Sequence, residues 1–242
     1  EKGGYEHFML KEIHEQPKAV RDTMSQRIAK DGKSIVMDEL KWDADYLNSF
    51  NKIYIVACGT AYHAGLVGKF YIEKLARTVV EVDVASEFRY REPIVDENTL
   101  FIAVSQSGET SDTLAAMKES KRLGAKTLAL TNVVGSSIAR ESDCVVYTQA
   151  GPEISVASTK AVCSQTDGKS LGFVIANAQQ TKKTGKPDSA ENTSHDHKHS
   201  GKRRQTADLF CDAHGDGRGH RFWRQRANGF CRSAEQTGQR HR

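Results

Sequence analysis

No apolar run in this chain of 242 residues approaches the roughly 18 residues needed to span a membrane, and no charged-then-apolar signal stretch opens it. A soluble, cytoplasmic protein with no membrane partner is the expectation. Cysteine is scarce and unpatterned: Cys58, Cys144, Cys163, Cys211 and Cys231 are odd in number and show no CxxC spacing. Neither a disulfide framework nor a zinc site is indicated, so thiols are expected, with no metal and no cofactor. A GxxxxGK[ST] pattern is also missing, which disfavours a nucleotide triphosphatase. The scarcity that organises the chain is one of apolar residues. Leu, Ile, Val and Phe total 41 of the first 163 residues but only 8 of the last 79.

Charge divides at the same place. The formal +4 comes from 35 Lys and Arg against 31 Asp and Glu. Through Cys163 there are 20 basic and 23 acidic residues, net −3, and after it 15 and 8, net +7. A segment below about 20% in those four apolar residues with excess charge cannot offset its ordering entropy. One globular domain large enough for its own core, followed by a basic tail expected to be disordered, is the first reading. The expected divisions are a helical segment over 1–48, a binding domain over 49–165 and the tail over 166–242. Glu1 in place of methionine suggests that the chain begins inside a longer one.

Residues 5–30 carry Phe8, Met9, Ile13, Val20, Met24 and Ile28 at helical spacing, with Pro17 either interrupting the helix or opening a second one. Ile53 to Cys58 is a short continuous apolar run closed by Gly59, the pattern of a strand buried on both faces. The unit repeats: a helix from about Ala61 to Ala76, strands at Val79–Ala85 and Leu100–Val104, a helix from about Ser111 to Leu123, and a strand at Lys126–Leu130. A short helix near Ser136–Glu141 precedes a last strand at Asp143–Tyr147. Five strands alternating with helices predict a doubly wound α/β fold on a five-stranded parallel sheet, a flavodoxin-like sandwich. The pattern stops after Ala161.

In such a sheet, ligands bind beyond the carboxyl ends of the strands. Three segments there are small and hydroxyl-rich: Cys58-Gly-Thr-Ala61, Ser105-Gln-Ser-Gly-Glu-Thr-Ser-Asp-Thr113 and Ile154-Ser-Val-Ala-Ser-Thr-Lys160. Gly59 and Gly108 allow close backbone approach, and the helix starts behind them favour an anion. Ser105, Ser107 and Thr110 place hydroxyls around one glycine, which suits the oxygens of a phosphate monoester, so a phosphosugar is the favoured ligand. Such residues equally serve as helix caps. Glu109 reads either as a general base or as a solvated partner of the helix dipole, and Cys58 as a small buried residue more readily than as a nucleophile.

Taken together, Ala57-Cys-Gly-Thr-Ala-Tyr-His-Ala-Gly65, the Ser105–Thr113 loop and Val156-Ala-Ser-Thr-Lys160, introduced by Tyr5-Glu-His-Phe-Met-Leu-Lys-Glu-Ile13, resemble the isomerase region of the glucosamine-6-phosphate synthase family. The resemblance covers roughly residues 1–165 and corresponds to the first of that region's two sugar isomerase (SIS) domains. It implies that Ser105, Gln106, Ser107 and Thr110 hold the phosphate of fructose 6-phosphate. Cys58, Gly59 and Thr60 belong to the same site, with Thr60 a further phosphate or sugar ligand, and Val156, Ala157 and Ser158 contact the sugar chain. The family pattern often carries serine after the threonine of the first loop, where this chain has Ala61. The family also has a glutaminase domain and a second SIS domain that supplies a glutamate base, a ring-opening histidine and a lysine. None of these is matched here, so the expectation is a fragment that binds a sugar phosphate, dimerises as the family does and turns over little by itself.

The tail supports an expectation of its own: an out-of-frame translation or a corrupted gene end, given that charge, apolar content and resemblance all change near Val162. Nucleic-acid binding through Lys202-Arg-Arg204 and Arg218–Arg226, or a non-catalytic SIS sensor of sugar phosphates, are the alternatives. His195, His197 and His199 read as a solvated polar tract, since nothing would orient the rings.

Overall fold

The computed structural model of the protein describes residues 1–25, 27–28 and 36–166. The expected disorder of the tail, its basic clusters and its three histidines lie outside the described residues.

Helix α1 (Phe8–Ser25) is followed by α2 (Ala44–Ser49) and then by the alternating unit: β1 (Lys52–Ala57), α3 (Thr60–Ala76), β2 (Val79–Val84), α4 (Ala85–Phe88) with a 3-10 turn at Arg89–Arg91, β3 (Thr99–Ser105) and α5 (Ser111–Arg122). It continues with β4 (Lys126–Thr131), α6 (Ser137–Glu141), β5 (Cys144–Tyr147) and α7 (Lys160–Thr166). The strands form one parallel sheet in the order β2-β1-β3-β4-β5. All five expected strands and the five-stranded parallel fold class are present.

Burial explains the sequence patterns. Every residue of central β3 is buried, whereas edge strand β2 is half exposed. Alternate side chains feed two cores, one on each face. Ile53, Ile55, Ile102 and Leu128 pack with Ile72 of α3 and Leu47 of α2, while Val56, Phe101 and Ala129 pack with Phe88 of α4, Met117 of α5 and Ile138 of α6. Side chains two apart on a strand share a face, so a doubly covered strand must be apolar throughout.

Two expectations need correction. Helix α1 runs unbroken through Pro17. A proline at that point removes the hydrogen bond to the Ile13 carbonyl, and Ile13 lies on the exposed side, where water can take the vacant place. The regular pattern also continues beyond Ala161 as α7, whose buried residues Lys160, Ala161, Ser164 and Gln165 are mostly polar and therefore give no apolar period to read.

Candidate functional site

In the order 2-1-3-4-5, successive strands are laid down in opposite directions on either side of β1 and β3, and the crevice opens at their carboxyl ends. A cavity of about 380 Å³ lies there, within the roughly 300–1,000 Å³ typical of small-molecule sites. Its walls are the β1–α3 turn, the β3–α5 loop and the segment leading into α7. Cys58, Gly59, Thr60, Ser105, Gln106, Ser107, Thr110, Val156, Ala157 and Ser158, all expected from the sequence, line this one cavity together with Ala61, Val104, Glu153, Ser155 and Gln165.

The β3–α5 loop is held by its own hydroxyls. The Gly108 N–H donates to Ser105 Oγ at 3.0 Å, Ser105 Oγ and Thr110 Oγ1 lie 3.0 Å apart, and the Glu109 N–H donates to Ser107 Oγ at 3.2 Å. Ser107 therefore acts as an acceptor towards the loop and keeps its proton for a ligand, as does one member of the Ser105–Thr110 pair. Thr110 spends its side chain on Ser105 and does not cap α5. Gly59, at φ +58° and ψ −134°, cannot cap α3, and a Cβ there would meet nothing within 4 Å. Two long helices thus present N-termini without side-chain caps to the same cavity. Each carries partial positive charge and N–H donors. Among the described residues no Lys or Arg lines the cavity, so these residues would meet an anion with hydroxyls and helix ends.

The third wall is braced from two directions. Glu153 Oε1 accepts the N–H groups of Thr159 and Lys160 at 2.8 and 3.0 Å, and Oε2 accepts the Ser158 hydroxyl at 2.9 Å. The one carboxylate among the described residues of the cavity wall is therefore committed to holding the start of α7. From α1, buried Glu12 accepts the Ile154 and Ser155 N–H groups at 2.7 and 3.2 Å. Burial alone would raise the Glu12 carboxyl, but hydrogen bonds from Ser155 and Ile154, with the charge of Lys160, bring it below the usual carboxylate range. Lys160 Nζ, itself buried, pairs with Glu15 at 2.6 Å, and that hydrogen bond holds Glu15 below its usual range.

Glu109, with two readings open from the sequence, is exposed, and its carboxylate accepts the Ser137 N–H at 2.8 Å. Ser137 draws its pKa down, and the group caps α6 outside the cavity lining, so the general-base reading is dropped. Cys58 is half-buried in the cavity wall, with the Thr113 hydroxyl 3.9 Å from its sulfur. Sequence reasoning missed Glu153, Gln165 and the brace from Glu12. Glu153 stands only three residues before the quoted motif, but what marks it is a contact with a helix that has no apolar period. No group of three or more His, Cys, Asp or Glu placed to hold a metal occurs among the described residues.

Comparison with known proteins points the same way. The SIS domain family matches residues 46–166. Over 165 residues, 68% of this chain, the sequence is 66% identical to a glutamine–fructose-6-phosphate aminotransferase (isomerizing) of Clostridium tetani, and that stretch is 27% of the relative's length. A protein of the same name from Mycobacterium bovis is 51% identical over 197 residues, 81% of this chain and 31% of the relative. That match runs past Thr166. Among solved structures, the C-terminal domain of glucosamine-fructose-6-phosphate aminotransferase from Francisella tularensis aligns with a TM-score of 0.69 at 43% identity, covering 75% of this chain and 50% of that one. The chain spans between a quarter and a third of the length of these curated relatives.

Proposed function

Since this chain belongs to the SIS domain family, we propose that its described domain is the phosphosugar-binding part of an isomerising glutamine–fructose-6-phosphate aminotransferase. Its ligands would be fructose 6-phosphate and glucosamine 6-phosphate, in the hexosamine branch that leads to UDP-N-acetylglucosamine. The observation that carries this reading is a cavity, without Lys or Arg among its described lining residues, in which two uncapped helix N-termini meet the hydroxyls of Ser105, Ser107 and Thr110. In that role Ser105, Gln106, Ser107 and Thr110 hold the phosphate, and Thr60 adds a hydroxyl from the β1–α3 turn. Cys58 and Gly59 shape that turn, and Val156, Ala157 and Ser158 border the sugar chain. The working divisions remain 1–48, 49–165 and 166–242, with binding assigned to the second.

Chemistry beyond binding needs more than this cavity offers. Moving a proton between C1 and C2 of the sugar requires a base within hydrogen-bond reach. Among the described residues the lining contains no histidine, and Glu153 is already occupied. We therefore assign these residues to holding the substrate, with little turnover by the chain alone. A homodimer is the assembly proposed, with Leu66, Val67 and Phe70, exposed on α3, as an apolar surface for contact. The cytoplasm, where the thiols of Cys58 and Cys144 would stay reduced, is the proposed compartment.

Calorimetric titration of the intact chain with fructose 6-phosphate tests the reading. One saturable site per chain is expected, weakened about ten-fold in Ser107→Ala by loss of one hydrogen bond to a charged group. Absence of binding, or binding indifferent to Ser107, would sink it.

A further inference from the structure

The inner wall of the cavity holds a polar side chain that nothing in the described residues satisfies. Gln165, in the last turn of α7, is 3% exposed, and both its Nε2 and its Oε1 are buried without a hydrogen-bond partner. On one side it borders the cavity described above. On the other it borders a crevice of about 20 Å³ whose lining side chains, among them Ile55, Ile72, Ile102, Val104 and Leu130, are apolar.

A carboxamide brings two donors and two acceptor lone pairs, and burying them unpaired is costly. An apolar side chain of similar volume would suit the crevice better. No partner for the amide lies among the described residues, and the cavity that it borders has room for one. That partner is unlike the phosphate. The hydroxyls of the β3–α5 loop and the ends of α3 and α5 already supply donors for an anion, whereas a neutral group that both gives and accepts hydrogen bonds matches an alcohol or a carbonyl.

We infer that Gln165 is a sugar-binding residue: its amide engages a hydroxyl or the carbonyl of the carbon chain while the loop hydroxyls hold the phosphate. This rests on the phosphosugar reading of the cavity and adds a division of labour to it, phosphate at one wall and sugar identity at the other. Sites built to hydrogen-bond a polar group discriminate against ligands lacking it, because their own buried groups are then left unpaired.

The test compares fructose 6-phosphate with inorganic phosphate on the intact wild-type chain and on Gln165→Met. Loss of one hydrogen bond to the sugar predicts an affinity for fructose 6-phosphate lowered about ten-fold, with that for inorganic phosphate unchanged within about two-fold. Equal weakening of both ligands, or no weakening of either, overturns the inference while leaving the phosphosugar reading in place. Failure of the wild type to bind either ligand defeats that reading and the inference with it. A measurement on wild type alone guards against a variant that does not fold. The side-chain amide proton resonances of Gln165 should shift on adding fructose 6-phosphate and stay in place with inorganic phosphate. Identical responses to the two ligands would also overturn the assignment.

Discussion

Gly108 shows how one residue sets the shape of the candidate phosphate loop. Its φ of +65° lies in the left-handed region, and a Cβ built on it would fall 2.0 Å from Ser136 Oγ and 2.8 Å from Thr131 Oγ1. Gly108→Ala should cost about 1–2 kcal/mol for the backbone conformation and about 1–3 kcal/mol more for overpacking. Gly59→Ala, whose methyl would meet nothing within 4 Å, should bear only the strain of its own backbone, whose ψ of −134° lies outside the left-handed helical well. Denaturant unfolding of Gly108→Ala alone and in a Ser136→Gly background checks the overpacking cost; an equal loss in both backgrounds would show that the Ser136 contact has no energetic weight. The need for a glycine in the loop was legible from the sequence, but the reason was only half so. A turn glycine can be recognised from its neighbours, whereas the side chain that excludes a Cβ, Ser136, arrives from the turn before α6, a separate segment.

At the scale of elements, the informative pairing is α1 with the segment that leads into α7. Glu12 holds the Ile154 and Ser155 N–H groups, Glu15 holds Lys160, and the Thr23 hydroxyl donates to the Thr148 carbonyl. The third cavity wall is therefore fastened to the N-terminal helix. Because the folded-state pKa of Glu12 is depressed, its contribution to stability is fully present above the ordinary glutamate value of about 4.3. That contribution is lost as pH falls through the lower folded-state value. Glu12→Gln should thus melt below wild type at neutral pH, and the gap should close on acidification below about pH 4. A gap that stays constant with pH would show that the Glu12 charge does not brace the wall. From the sequence α1 was readable as a helix, yet its role was not, since Glu12 and Glu15 look like ordinary surface carboxylates until α7 is placed beside them.

For the whole molecule, charge and function prove to be separate matters. The excess of basic residues lies after Cys163, and among the described residues no Lys or Arg lines the cavity. Phosphosugar binding through hydroxyls and helix N-termini should consequently respond weakly to salt. Between roughly 50 and 200 mM salt the affinity for fructose 6-phosphate should change by less than about three-fold, against about a thousand-fold or more for a protein making many phosphate contacts to nucleic acid. Isothermal titration at the two salt concentrations decides this. A steep slope would mean that cations outside the cavity carry the binding.

The sequence by itself determined the sheet, its five strands and the three loops at its carboxyl edge. These depend on local chemistry: continuous apolar runs for strands covered on both faces, glycines where the chain turns, and small hydroxyl residues where helices begin. Tertiary structure alone decided that the three loops enclose one cavity, that Glu109 turns away to cap α6, that Glu153 is occupied by α7, and that the buried amide of Gln165 has no partner among the described residues. Each of those outcomes depends on which groups meet across distant segments. A polar side chain carries no mark in sequence of whether its partner is water, a neighbouring element or a ligand.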